Sequence, residues 1–232
     1  MAKSAKLILL RHGQSEWNRL NLFTGWVDIP LSRQGVEESL EAGRAISALP
    51  IDVIFVSSLI RAQMTATLAM SVHKSGKVPY LLHPGEGRQE EWAQIYSSET
   101  EKQCVPMIAA WQLNERYYGQ LQGVNKKEMM DKHGQHQVKL WRRSFDICPP
   151  GGESLAMTAA RALPYFKEKI IPYLDKGQNV FISAHGNSLR AIVMHLDQLT
   201  KEQVVELEMA TGAPLIYEFR EGKAIKVESR SC

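Results

Sequence analysis

Three short apolar runs, each ending abruptly in polar residues, constrain this chain more than any other feature. Leu7-Ile8-Leu9-Leu10 runs into Arg11-His12-Gly13, and Asp52-Val53-Ile54-Phe55-Val56 runs into Ser57-Ser58. The third, Asn179-Val180-Phe181-Ile182-Ser183-Ala184, runs into His185-Gly186-Asn187-Ser188. Continuous runs of this length are strands buried on both faces, as in a parallel sheet. Segments with helical character separate them. Ser32 is placed as the N-cap of a helix carrying Val36, Leu40, Ile46 and Leu49 on one face, with Pro50 stopping it. A second helix starts near Leu59 and carries Arg61, and a third carries Leu189, Ile192, Val193 and Leu196. Between Glu153 and Leu174 the spacing is again helical, with Pro164 and Pro172 expected to kink the helix or cut it short. Pro214 to Phe219 and Ala224 to Val227 read as a last hairpin turning at Glu221-Gly222. Alternating strands and helices predict a three-layer α/β/α fold with a mostly parallel central sheet. From Val72 to Pro106 no clear period emerges.

In open sheets of this class ligands bind at the carboxyl ends of the strands. Arg11 and His12 follow the first strand, Arg61 follows the second by one helical turn, and His185 follows the third, so these residues should converge. Two arginines offer planar donor forks for phosphate oxygens, at a charge that no working pH removes. Gly186-Asn187-Ser188 opens a helix whose free N–H groups favour an anion. Together these pieces describe a phosphoryl pocket. The other histidines (His73, His83, His133, His136 and His195) are read as solvated or internally satisfied. His133 and His136 could share a helix face, but no carboxylate or cysteine set completes a metal site, so no metal is expected.

What is missing narrows the field further. There is no G-x-x-x-x-G-K-[ST] loop, no G-x-G-x-x-G after a strand and no G-x-S-x-G elbow. A net charge of +3 argues against a nucleic-acid binder that relies on its overall field. The three cysteines form no C-x-x-C pair, and the apolar run near the N-terminus is too short for a signal core or a membrane span. A cytoplasmic location without membrane attachment is the expectation.

Arg11-His12-Gly13-Gln14-Ser15-Glu16-Trp17-Asn18 resembles the signature of the histidine phosphatase superfamily. Within that family the chain is similar to the cofactor-dependent phosphoglycerate mutases. Phe23-Thr24-Gly25-Trp26, Leu113-Asn114-Glu115-Arg116-Tyr117-Tyr118-Gly119, Leu121-Gln122-Gly123 and Asn125-Lys126 match that branch, as do Trp141-Arg142-Arg143-Ser144-Phe145 and Glu153-Ser154-Leu155. Ala184-His185-Gly186-Asn187-Ser188-Leu189-Arg190 and Pro214-Leu215-Ile216-Tyr217-Glu218-Phe219 complete the series.

The resemblance implies a phosphoglycerate mutase-like single domain over 1–232, with a cap-like insertion at roughly 71–150. It implies interconversion of 3- and 2-phosphoglycerate in glycolysis and gluconeogenesis, through a phosphohistidine primed by 2,3-bisphosphoglycerate and without a metal. His12 would be the nucleophile, its other ring nitrogen donating to a backbone carbonyl. Arg11, Arg61 and His185 would stabilise the moving phosphoryl group, and Glu115 would be the general acid/base. Ser15, Asn18, Thr24, Gly25, Gly186 and Asn187 would line the phosphoryl end. Arg116, Tyr118, Lys126, Arg142 and Arg143 would hold the substrate's remaining anionic groups. Phosphoglycerates are the partners implied, and a homo-oligomer is compatible with the chain.

The chain departs from the family's pattern in places. Tyr117 stands where His is usual and Gln14 where Glu is frequent. Extra residues fall within 71–107, the family's long loop is reduced to Gly151-Gly152, and little follows Phe219. The shorter loop and end predict some leakage of phosphohistidine to water beside the mutase activity. The nearest rival reading is a histidine-dependent phosphatase or bisphosphoglycerate phosphatase, against which Lys126, Arg142 and Arg143 argue, since hydrolysis needs no second anionic clamp. A bisphosphoglycerate synthase fits Ser15 poorly. A catalytically dead phospho-ligand binding module would not need His12, Glu115 and His185 together.

Overall fold

The computed structural model describes residues 4–220 and 222–227. Among them one sheet contains β1 (Ser4–Arg11), β2 (Val53–Ser57), β3 (Val78–Leu82), β4 (Cys104–Ala110), β5 (Val180–Ala184), β6 (Pro214–Arg220) and β7 (Lys223–Val227). Their order is β3-β4-β2-β5-β1-β6-β7. The first five run parallel, and β6 and β7 add on antiparallel. The final hairpin stands as expected, although Glu221 at its turn and Cys232 lie outside the described residues.

Alternation along each strand explains the three layers. On one face Leu7, Leu9, Val53, Phe55, Val180 and Ile182 pack with Phe166, Ile170, Leu189 and Ile192 from the helices Leu155–Tyr165 to Ile171–Asp175 and Gly186–Leu196. On the other, Ile8, Leu10, Ile54, Val56 and Phe181 pack with Ala42, Ile46, Ala66, Ala69 and Met70 from Arg33–Ile46 and Ile60–Ser71. Both faces of the central strands are therefore dry, which is why those strands read as unbroken apolar runs.

Two helices differ from expectation. Ser32 does cap the first, its hydroxyl accepting from Gly35 N–H at 3.2 Å. However, the buried face is Gly35, Ser39, Ala42, Gly43 and Ile46, while Val36 and Leu40 are only partly covered. This helix lies close against Ile60–Ser71, where a Cβ on Gly43 would collide with the carbonyl of Ala69. Small residues, not large ones, mark the contact. The second difference is in Leu155–Asp175. Helix continues through Pro164, widens into a π turn over Phe166–Ile170, and resumes at Ile171–Asp175. Within it Ile171 N–H reaches back to the carbonyl of Phe166. A wide turn at this point accommodates Pro172, which has no N–H to give.

The unpatterned middle of the chain contains β3, β4 and the short helices Arg88–Trp92 and Ser98–Lys102, so its extra residues extend the sheet on the β3 side. Leu121, Met129, Val138 and Trp141, all beyond β4, join Phe23 in a satellite core. That small core carries the helices Lys126–His133 and Gln135–Arg143 at the carboxyl end of the sheet.

Candidate active site

β1 lies directly beside β5, with Arg11 in register with Ala184. His12 N–H continues the pairing, donating to the carbonyl of Ala184 at 3.0 Å. Strand geometry alone thus brings His12 and His185 together, ring centroids 4.8 Å apart. The backbone of Gly13 is held by Thr65 Oγ1 at 3.1 Å and lies against Gly35, where any side chain on either glycine would collide.

The His12 Nδ1 lies 2.7 Å from the carbonyl of Gly13. Burial, then the charges of Arg61 and Arg11, hold the imidazole well below its usual pKa. A neutral ring facing a carbonyl carries its proton on Nδ1, leaving the Nε2 lone pair bare. His185 is also kept neutral, by burial and then by Arg61, His12 and Arg11. Its Nε2 contacts Ser57 Oγ at 2.6 Å, while its Nδ1 is buried with no partner among the described residues.

The same is true of Arg11 Nε, Arg61 Nε, Thr24 Oγ1, and Nε and Nη1 of Arg116. Buried polar groups are almost always bonded, and an unbonded one costs on the order of 1–3 kcal/mol. Those of Arg11, Arg61 and Thr24 belong to residues that line one cavity, a set suited to a multi-oxygen anion. Arg61 meanwhile donates to the carbonyls of Gly25 at 2.7 Å and Val27 at 2.9 Å, which ties the Thr24-Gly25 loop to the same point. Its pKa, lowered by burial to about 10, leaves it charged at any working pH.

Glu115 enters from the segment after β4. Its Oε1 accepts from Arg116 N–H at 2.7 Å, Asn187 Nδ2 at 2.6 Å and Asn187 N–H at 3.3 Å. Its Oε2 has no hydrogen bond among the described residues. Lys126, Arg142 and Arg143, from the two helices of the satellite core, line the same cavity. Six cationic side chains line the cavity against two carboxylates, Glu115 and Glu208.

Thirteen of the sixteen residues expected from the sequence line this cavity. Three do not. His185 stands behind His12. Ser15 is wholly buried, its hydroxyl accepting from Asn18 N–H as the cap of Glu16–Arg19. Arg116 is buried beneath Tyr118, its guanidinium 4.9 Å from that ring and bonded to the carbonyl of Arg142. Two charged residues were missed. Arg190 was legible, since it follows Asn187 by one helical turn and meets its Oδ1 at 3.3 Å. Glu208 carries no sequence signal; it pairs with Arg143 Nη2 at 2.6 Å.

Lys126 gives a direct electrostatic test. Burial, then Arg142 and Arg11, push its pKa down to about 8. It is therefore cationic below that pH and neutral above it. Sulfate, whose charge is constant across this range, should bind progressively more weakly as pH rises through about 8. Lys126→Met should flatten that limb in a calorimetric titration; a limb that survives belongs to another group.

A family model described as histidine phosphatase superfamily (branch 1) matches residues 7–85 and 86–230. The chain is 66% identical over 221 residues to the 2,3-bisphosphoglycerate-dependent phosphoglycerate mutase of Protochlamydia amoebophila, covering 95% of this chain and 98% of that protein. It is 57% identical over 225 residues to 2,3-bisphosphoglycerate-dependent phosphoglycerate mutase 1 of Arabidopsis thaliana, covering 97% of this chain and 67% of the plant protein. Among solved structures, Bacillus stearothermophilus YhfR superposes with a TM-score of 0.75 at 20% identity, over 98% of both chains. This last likeness speaks for the fold.

Proposed function

The chain belongs to branch 1 of the histidine phosphatase superfamily, and on that premise we propose that it interconverts 3-phosphoglycerate and 2-phosphoglycerate through a phosphorylated His12. It acts as a phosphoglycerate mutase, like the bacterial and plant relatives named above. One observation carries the reading of the site. A single cavity is lined by His12 with its bare imidazole nitrogen, by Arg11, Arg61 and Thr24 with unpartnered polar atoms, and by a second cationic cluster of Lys126, Arg142 and Arg143. A phosphatase does not need that second cluster.

The side chains then divide the work. His12 Nε2 attacks phosphorus while Nδ1–H stays on the Gly13 carbonyl, so the ring is held in one tautomer. Arg11 and Arg61 meet the transferring oxygens as they gain charge, with His185 behind His12; burial fixes Arg61 and His185 in advance, and the carbonyl of Met209, 2.6 Å from Nη1, holds Arg11. This arrangement assigns to arginines the charge work that metal ions perform in other phosphoryl-transfer enzymes. Glu115, through Oε2, exchanges a proton with the substrate hydroxyl. Lys126, Arg142, Arg143 and Tyr118 hold the remaining anionic groups, with Arg116 beneath Tyr118. A bisphosphorylated three-carbon acid suits a cavity that combines these donors with a second cationic cluster, and 2,3-bisphosphoglycerate supplies the phosphoryl group that loads His12. We place the protein in the cytoplasm as one domain, whose insertion at roughly 71–150 caps the cavity with the part bearing Tyr118 to Arg143.

The decisive assay follows 3-phosphoglycerate conversion with and without 2,3-bisphosphoglycerate while measuring free phosphate in parallel. Conversion should depend on the bisphosphate and run well ahead of phosphate release. Release equal to or faster than conversion would make the protein a phosphatase.

The second cluster predicts selectivity. Arg142→Ala and Arg143→Ala, made separately, should weaken phosphoglycerate binding more than that of phenyl phosphate, which lacks a carboxylate. Each removes charge-assisted hydrogen bonds worth roughly 1.5–3 kcal/mol. Equal losses for both ligands would make the arginines structural.

A further inference from the structure

The guanidinium groups near the cavity are of two kinds. Arg11 and Arg61 keep buried Nε atoms unpartnered, whereas Arg161 leaves none of its donors free. Arg161 stands on Leu155–Tyr165 with its side chain 9% exposed, and it has no place in the cavity lining. Its Nε and Nη2 form a fork on Glu153, at 3.0 and 2.9 Å. Nη1 donates to the carbonyls of Gln112 at 2.8 Å and Asn114 at 3.0 Å, and Nη2 also donates to that of Glu115 at 2.9 Å. Three hydrogen bonds from one side chain thus fix the short segment that presents Glu115, while two more tie that side chain to Glu153. The guanidinium also lies over Trp26, whose Nε1 donates to the same Glu115 carbonyl at 2.6 Å. Glu153 completes the clamp by accepting from Tyr117 N–H at 2.9 Å.

We propose that Arg161, charge-balanced by Glu153, is a positioning residue that aims the Glu115 carboxylate into the cavity. The proposal rests on the reading of Glu115 as the proton-transfer group. The segment after β4 has no regular hydrogen-bonded partner to hold its carbonyls, so an outside donor must set its path. Lysine cannot replace arginine here, because three donors on one point charge cannot meet three carbonyls and a carboxylate in a plane.

The test is a double-mutant cycle on the whole enzyme. Arg161→Lys should lower kcat roughly 10²-fold, as small misplacements of a reacting group do, with KM for 3-phosphoglycerate changed less than about threefold. In a Glu115→Gln background the same substitution should lower kcat by less than about threefold, because a residue acting only through Glu115 has nothing left to act through. Equal fold losses in both backgrounds would overturn the proposal and make Arg161 a general support of the fold. A Glu115→Gln enzyme with unchanged kcat would instead overturn the acid/base reading, and the proposal with it. Should Arg161→Lys not fold, Trp26→Phe removes only the second donor to the Glu115 carbonyl and carries the same cycle. Its loss should likewise vanish in the Glu115→Gln background, and persistence there would overturn the proposal.

Discussion

His12→Ala is expected to give a folded protein with no measurable mutase turnover. Among the described residues His12 is the one histidine that lines the cavity, and its Nε2 keeps a bare lone pair on a fixed ring because Nδ1 is held by the Gly13 carbonyl. Covalent catalysis has no substitute once that atom is removed, so more than about one per cent of the wild-type rate would contradict the assignment. Folding should survive. The lost hydrogen bond is worth about 1 kcal/mol, and the ring removed is a desolvated one. An unchanged circular dichroism spectrum and melting temperature within a few degrees would confirm this. Incubation of the wild-type enzyme with labelled 2,3-bisphosphoglycerate should leave a label that survives alkali and is lost in acid, as a phosphorus–nitrogen bond requires. His12→Ala should take up none.

How legible the molecule was depends on what each residue faces. β1, β2 and β5 are central, covered on both faces, and so appear in the sequence as uninterrupted apolar runs. β3 is an edge strand, with Val78 63% exposed and Pro79 within it, so it carries neither a run nor an alternation. β4 is broken in the same way by Pro106. The phosphoryl end of the site was readable because it hangs directly on those central strands. Arg190 could be added by counting one turn from Asn187. Arg161 could not be found this way. Its partners are mostly backbone carbonyls, and a carbonyl leaves no trace in residue identity. The close helix contact at Gly35 and Gly43 was misread for a related reason: large apolar residues signal burial by area, whereas tight backbone approach is signalled by small ones.

Glu115→Gln should lower mutase turnover by about 10²- to 10⁴-fold, the usual worth of a positioned acid/base. The substitution keeps the shape of the side chain and an oxygen that can still accept from Asn187 Nδ2 and Arg116 N–H, so binding should change little. What it removes is the titrating oxygen, Oε2, which has no partner among the described residues and is free to meet the substrate hydroxyl. Whether the loss reflects proton transfer or mere displacement can be decided by the leaving group. Loading His12 from 2,3-bisphosphoglycerate expels an alkoxide that needs a proton, so Glu115→Gln should slow it severely. Loading from p-nitrophenyl phosphate expels a stabilised phenolate that leaves without one, so that step should be nearly spared. Single-turnover measurements with the two donors separate the cases. If both slow by the same factor, Glu115 organises the cavity without moving the proton, and the acid must be sought in another side chain. If only the alkoxide is affected, the hydroxyl of the phosphoglycerate and the Glu115 carboxylate are partners in the same transition state.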